Sequence, residues 1–347
     1  MIKKERRVRI EWIDFAKGLT IMLVILGHSV SVTEGNEAVI REIIFSFHMP
    51  LFFILSLATY RLATNNDQLI SNCRKGFKHL IIPAVVLYGI RIIIEIIHLY
   101  PGISWHNYCA NKINTFVFAS GVDVTIGNSK VFALGMMWFL VVLFIVRTLF
   151  EWINLYYPNH LILIIGATTF LGIGISKIQW LPLSFDIVLT VLIFMYLGSH
   201  LNNIVNDNHT IIKGILALII WALTLLLCRY TESSYLELAA RRYPLIIAGF
   251  ITALSGTVFI AMLSKIACKG TTVVKPVLYI GRNSLWVFCV HALDYNYEFL
   301  WNCTNSGIIN GIVRIILDVI ITVAFLNIKE GINTYANKLN KDSYQHE

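Results

Sequence analysis

The chain is 347 residues long, 57% apolar and only 14% charged, with a mean hydropathy of +0.70. Soluble domains carry about 25% charged residues, so a soluble globular domain is excluded and a helical membrane protein is indicated. The net charge of +8 needs no nucleic acid, because the basic residues gather between apolar runs, where they act as a topology signal.

Apolar stretches near the ~20 residues needed to cross a bilayer predict about ten spans. They lie at 13–32, 39–61, 77–99, 131–153, 160–177, 184–200, 211–229, 244–264, 276–296 and 308–328. The expected fold is an all-α, polytopic transmembrane helical bundle. One membrane domain covers 13–330, preceded by a basic segment at 1–12 and followed by a polar tail at 331–347. Basic residues concentrate in alternate connections: Lys3, Lys4, Arg6, Arg7 and Arg9, then Arg61, Arg74, Lys75 and Lys78, then Lys213, Lys265, Lys269 and Lys275, and finally Lys329, Lys338 and Lys341. The positive-inside rule puts these segments, and both termini, in the cytoplasm. No small-x-small cleavage site follows His28, so the first apolar run reads as a retained span. The six cysteines lack metal-ligand spacing, and no metal site is expected. Cys109 and Cys303 both fall in outer connections, where a disulfide is one option.

The first span carries the most informative pattern. At ~100° per residue, Lys17 lies about 20° to one side of His28 and Asp14 about 40° to the other. The three share a stripe, with Lys17 and His28 ~16 Å apart along the axis. Ionisable groups at membrane depth are costly, so such a stripe suggests a lined path rather than lipid contact. A neutral, desolvated His28 has the chemistry to take a proton from a hydroxyl. The simpler alternative is an interhelical hydrogen bond from His28 and an i,i+3 ion pair between Asp14 and Lys17.

Further along, Phe45-Ser-Phe-His48-Met-Pro50 puts a histidine at a helix N-terminus, where proline leaves no amide hydrogen unsatisfied. His48 there is either a site residue or an interfacial anchor. Arg74, Lys75 and Lys78 sit at the cytoplasmic mouth of the third span. They suit a phosphorylated ligand or anionic lipid. Arg91 and Glu95, i,i+4 on the same span, form an ion pair or a site element. The connection at 100–130 is long enough to cap an outward-facing site. Trp138 opens the fourth span. The segment from Thr231 to Tyr243 reads as a short interfacial helix. Arg282, Asn283 and Ser284 enter the ninth span from inside, and His291 lies nearer the outside.

In this order and spacing, the blocks resemble acyltransferase family 3, bacterial integral-membrane O-acyltransferases that include fucose 4-O-acetylase-like and polysaccharide O-acetyltransferases. The matching features are Trp12-Ile-Asp14-Phe-Ala-Lys17-Gly18 with ten residues between Lys17 and His28, and Phe47-His48-Met-Pro50-Leu-Phe-Phe. Lys75-x-x-Lys78 before Leu-Ile-Ile-Pro83, Trp138-Phe-Leu, and Gly281-Arg-Asn-Ser-Leu with His291 complete them. The resemblance implies a multi-pass protein of the bacterial cytoplasmic membrane, surrounded by its lipids. The implied donor is cytoplasmic acyl-CoA, by default acetyl-CoA, as a co-substrate rather than a bound cofactor. The implied acceptor is a hydroxyl of a surface polysaccharide or lipid-linked sugar.

By the same resemblance His28 matches the catalytic histidine, Lys17 the basic residue preceding it, and Lys75 with Lys78 the basic pair that holds CoA phosphate. Asp14 is added as a candidate catalytic residue beside them, and Arg74, Asn283 and Ser284 as candidate CoA contacts. His48, Trp138, Arg91, Glu95 and His291 are left to the acceptor or the thioester. Two positions depart from the family pattern: Leu57 stands where a glycine often follows Phe-Phe-x-x-Ser, and Lys75/Lys78 stand where many relatives have two arginines. The alternative function is a transporter of a small molecule or lipid-linked glycan using the buried charges as a relay. It would call for inverted repeats, which the sequence does not display.

Overall fold

The structure is a computed structural model that describes residues 9–31, 35–97, 104–127, 129–206, 209–231, 233–269 and 274–343. The basic residues expected at 3–7 lie outside the described residues, as do the side chains of Lys338 and Lys341. The elements in chain order are α1 (Glu11–Gly27), α2 (Gly35–Phe45), α3 (His48–Ala58), α4 (Asn66–Gly76), α5 (Ile82–Ile97) and α6 (Trp105–Phe118). A two-stranded antiparallel hairpin follows, β1 (Val124–Ile126) and β2 (Ser129–Val131), pairing Val124 with Val131. Then come α7 (Trp138–Tyr156), α8 (Leu161–Ile178), α9 (Phe185–Asn206), α10 (Thr210–Cys228), α11 (Ile247–Ala267), α12 (Val274–Arg282), α13 (Ser284–His291) and α14 (Gly307–Ser343).

Among the described residues, eight helical stretches are long and apolar enough to cross a membrane: Gly35–Ala58, Asn66–Ile97, Gly135–Tyr156, Pro158–Ile178, Pro182–Asn206, Thr210–Cys228, Ile247–Ala267 and Gly307–Thr334. The two other expected spans are shorter helices. The first ends at Gly27 after 17 residues. The ninth is cut at Asn283 into α12, of nine residues, and α13, of eight. Asn283 leaves helical geometry at φ −110°, ψ 17°, and its amide donates to the Tyr279 carbonyl at 3.0 Å. Asn competes with the helix in this way, by offering its side chain to nearby backbone. The third span also differs in detail. Pro83 has no N–H to give to the preceding turn, and a π-helical turn at Phe77–Ile81 joins α4 to α5.

Several local expectations change. The connection at 104–131 holds α6 and the hairpin. Thr231 to Tyr243 contains no helix among its described residues; Glu237 and Arg242 form an isolated antiparallel bridge. The reason is Arg241, which turns inward at φ 56°. Its Nε donates to Asp186 Oδ2 at 2.9 Å and its Nη2 to Ser184 Oγ at 3.0 Å, and its guanidinium stacks on Trp180. Both ions are buried, with 2% and 0% side-chain exposure, so this loop is anchored rather than laid on an interface. Cys109 and Cys303 are free and exposed. The polar tail expected from 331 continues α14 as far as Ser343.

The helices α1 and α12 meet backbone to backbone. A Cβ at Gly18 would collide with the Val277 carbonyl, and one at Gly281 with the Asp14 carbonyl. Small residues allow such approaches where no hydrophobic force drives helices together in lipid. Leu57, the departure from the family pattern on α3, finds its small partner across the interface. Gly198 of α9 lies so close that a Cβ there would sit 3.1 Å from Leu57 Cβ.

Two outcomes follow for stability. Gly281→Ala should lower the thermal midpoint of the detergent-solubilised protein, because overpacking costs about 1–3 kcal/mol and here the obstacle is backbone. Arg241→Leu should be worse, about 3–5 kcal/mol, since it strands the buried Asp186 carboxylate; Asp186→Asn with Arg241→Leu should recover part of the loss.

Candidate active site

Helix α1 brings His28 to its own C-terminal end. His28 is the C-cap, at φ −80°, ψ −8°, and is half-buried. The Arg41 guanidinium from α2 satisfies the last carbonyl of α1 by donating to Gly27 O at 2.6 Å. A cation is favoured there by the helix dipole. Arg41 also lies 4.1 Å over the Phe45 ring.

The sequence-predicted histidines converge at this point. The His28 ring is 5.6 Å from the His291 ring and 5.1 Å from Phe45, centroid to centroid. Phe45 in turn is 4.4 Å from His48. Phe45 thus separates His48 from His28, while His291 faces His28 directly. His48 is buried, and its Nδ1–H donates to Ile44 O at 3.2 Å. A carbonyl can only accept, so Nε2 of His48 is left as the acceptor nitrogen. Tyr235, from the loop between α10 and α11, also lies against Phe45, at 5.8 Å. Burial and the neighbouring Glu237 carboxylate push its phenol above the ordinary range, so it keeps an O–H to donate.

His291 is fully buried and held by charge. Its Nδ1 donates to Asp294 Oδ2 at 2.8 Å and lies 3.3 Å from Asp318 Oδ2. Arg314 of α14 grips Asp294 with two bonds of 2.6 Å and also donates to Ser29 Oγ at 3.2 Å, next to His28. Trp301 lies 4.1 Å from the same guanidinium, and Tyr297 donates to Asp318 Oδ1 at 3.2 Å. His291, Asp294 and Asp318 offer atoms within 4.8 Å of one another, but the guanidinium already supplies the cation on Asp294.

Asp294, Arg314 and Asp318 escaped the motif reading. The available signal was Arg314 and Asp318 at i,i+4 in the last span, since charges at that depth face the interior or a partner. The partner, three residues after His291, could not be assigned without knowing that α13 ends there.

The other predicted residues separate into groups. Asp14 pairs with Arg9 at 3.1 Å and Arg282 at 3.4 Å, which joins α1 to the break before α13. Arg74, Lys75 and Lys78 do come together, with Asp67, Ile70 and Ser71, around a cavity of about 400 Å³. Asn65 caps α4 by accepting from the Gln68 amide at 2.9 Å. The buried Glu151 fixes the preceding loop, accepting from Tyr60 Oη at 2.8 Å, Ala63 N at 2.7 Å and Asn72 Nδ2 at 2.6 Å. Along the chain, α3 runs from His48 to Ala58 before the turn into α4, and α4 and the π turn pack beside α7, with Asn72 on Glu151 and Phe77 against Phe144.

Asn283 and Ser284 form the α12–α13 break rather than the cationic cavity wall. Arg91 and Glu95 pair at 3.1 Å, and Lys112 of α6 joins the same carboxylate, so they tie the long loop to α5. Trp138 is buried against Gly121, where a Cβ would come within 2.7 Å of its ring.

Comparison with curated proteins finds no match. A family model described as an acyltransferase domain, that of acyltransferase family 3, matches residues 10–326. That range contains α1 with His28, the cationic cavity and the buried cluster around His291. The chain therefore belongs to acyltransferase family 3 and is a membrane acyltransferase.

Proposed function

We propose that the protein is an O-acyltransferase of the bacterial cytoplasmic membrane that moves an acyl group, acetyl by default, from cytoplasmic acyl-CoA to a hydroxyl of an extracytoplasmic or lipid-linked cell-surface glycan. The observation that carries this reading is a pair of separate sites. A half-buried His28 stands among histidines in one, and a cavity lined by Arg74, Lys75 and Lys78 forms the other.

In this reading both termini are cytoplasmic, and the CoA phosphates bind the three cations. Lysines act there as point charges rather than bidentate forks. The pantetheine arm reaches along α1, past Lys17, and delivers the thioester to His28. His28 takes the proton of the acceptor hydroxyl as its oxygen attacks the acyl carbon. The C–S bond then breaks, and the thiolate receives that proton to leave as CoA-SH. His48, Tyr235 and the rings around Phe45 form the acceptor's side of the site.

Transfer of radiolabelled acetyl from acetyl-CoA to surface glycan, measured in membrane vesicles, should fall about 10²–10⁴-fold in His28→Ala, the range for losing a general base. Equal transfer by variant and wild type would sink the assignment. Lys75→Ala with Lys78→Ala should raise KM for acyl-CoA by roughly 10–100-fold while kcat holds, the behaviour of lost charged hydrogen bonds to a non-reacting group. A fall in kcat at unchanged KM would count against CoA at this cavity.

A further inference from the structure

The arginines around His28 differ in what neutralises them. Arg314 is bonded to Asp294, Arg229 lies 3.0 Å from Glu42 and Arg242 lies 3.5 Å from Glu237. Glu37 accepts from the Ser31 and Ile308 amides instead. Arg41 has no carboxylate partner among the described residues. Its Nη1 is spent on Gly27 O and its guanidinium lies over Phe45, while its Nε–H is buried and has no hydrogen-bond partner. The helix dipole accounts for the bond to Gly27 O, not for the idle Nε–H, and a buried donor left unpaired is costly. A guanidinium stays charged and all five of its N–H groups donate, so neither its sign nor its donor depends on a titration. The position is also the right one. Gly27 directly precedes His28, the Phe45 ring beneath the guanidinium has the His28 ring at 5.1 Å, and His28, His48 and Tyr235 all feel the Arg41 charge. The neighbouring imidazoles donate from Nδ1, His48 to Ile44 O and His291 to Asp294. In its neutral form each leaves Nε2 as an acceptor, which an oxyanion cannot use.

We infer that Arg41 is a catalytic hydrogen-bond donor, its Nε–H directed at the carbonyl oxygen of the acyl group held at His28. This rests on the acyl-transfer reading. A thioester and a hydroxyl bring no charge to the reacting atoms; the carbonyl oxygen acquires one only as the acceptor oxygen bonds to the acyl carbon and the carbonyl electron pair moves onto oxygen. A cation without a carboxylate of its own therefore favours the tetrahedral state over the bound reactants. The guanidinium keeps all its protons, and the pair returns as the C–S bond breaks. The proton that travels is the acceptor's, carried by His28 to the thiolate. Base and donor come from neighbouring helices, and the bond from Arg41 to Gly27 O fixes one against the other.

The test compares Arg41→Lys and Arg41→Leu in full-length protein, reading kcat and KM for transfer from acetyl-CoA to surface glycan in vesicles beside the thermal midpoint. A lysine ammonium reaches Gly27 O and keeps the charge at the end of α1, but it has no second nitrogen at the position of Nε. A donor role predicts that Arg41→Lys keeps the wild-type midpoint while kcat falls by about ten-fold or more with KM for acetyl-CoA unchanged. Arg41→Leu should fall about 10²–10³-fold in kcat, the usual loss for one oxyanion donor. Should the leucine variant not assemble, Arg41→Lys decides alone. A lysine variant with wild-type kcat overturns the donor role and leaves Arg41 as the cap of α1, and a loss confined to KM overturns it as well. A wild type that transfers no acyl group from any acyl-CoA overturns the function reading itself, which separates the two failures.

Discussion

The close approach of α1 to α12 through Gly18 and Gly281 is the constraint on which the rest depends. Backbone meets backbone there, so the first half of α1 is locked against α12 up to the end of that helix. The break at Asn283 then re-aims the chain into α13, whose eight residues end at His291. Because α1 ends at His28 and α13 at His291, the locked pair brings the two rings to 5.6 Å. A continuous ninth span would carry its last residue on the same axis as Val274 and leave this meeting to chance. Asp14 reinforces the arrangement electrostatically, since its partner Arg282 is the residue just before the break.

The two sites use charge in different ways. At the cationic site, Arg74, Lys75 and Lys78 face an open cavity and remain available to a ligand. They are presented by a helix whose loop is fixed through Glu151 and whose continuation is eased past Pro83 by a π turn. π turns often mark functional positions, and this one spans Lys78. Around His291 the charges are internal. Arg314 is fully buried, bonded to Asp294 and stacked on Trp301. Such a cluster holds its shape because separating any member leaves an unpaired charge.

Two further groups of charges anchor loops. Arg241 with Asp186 anchors the loop after α10, and Glu95 with Arg91 and Lys112 anchors the loop before the hairpin. Both loops lie between spans. Tyr235, near Phe45, belongs to the first of them.

Composition and hydropathy determine the class of this protein, and the run of motifs from Trp12 to His291 determines its family. These are readable in one dimension because a bilayer demands long apolar helices and because the motifs are local. The stripe of Asp14, Lys17 and His28 was readable for the same reason, being set by helical periodicity alone. The tertiary structure decided which polar residues meet. It put Phe45 between His28 and His48, assigned Asp14 to Arg9 and Arg282, and gave Arg91 and Glu95 to the long loop. It also broke the ninth span at Asn283 and assembled Asp294, Arg314 and Asp318 around His291. Those outcomes depend on where helices stop and which faces approach, and such contacts join residues as far apart as Ser29 and Arg314. Local periodicity carries no term for them; only the packed bundle does.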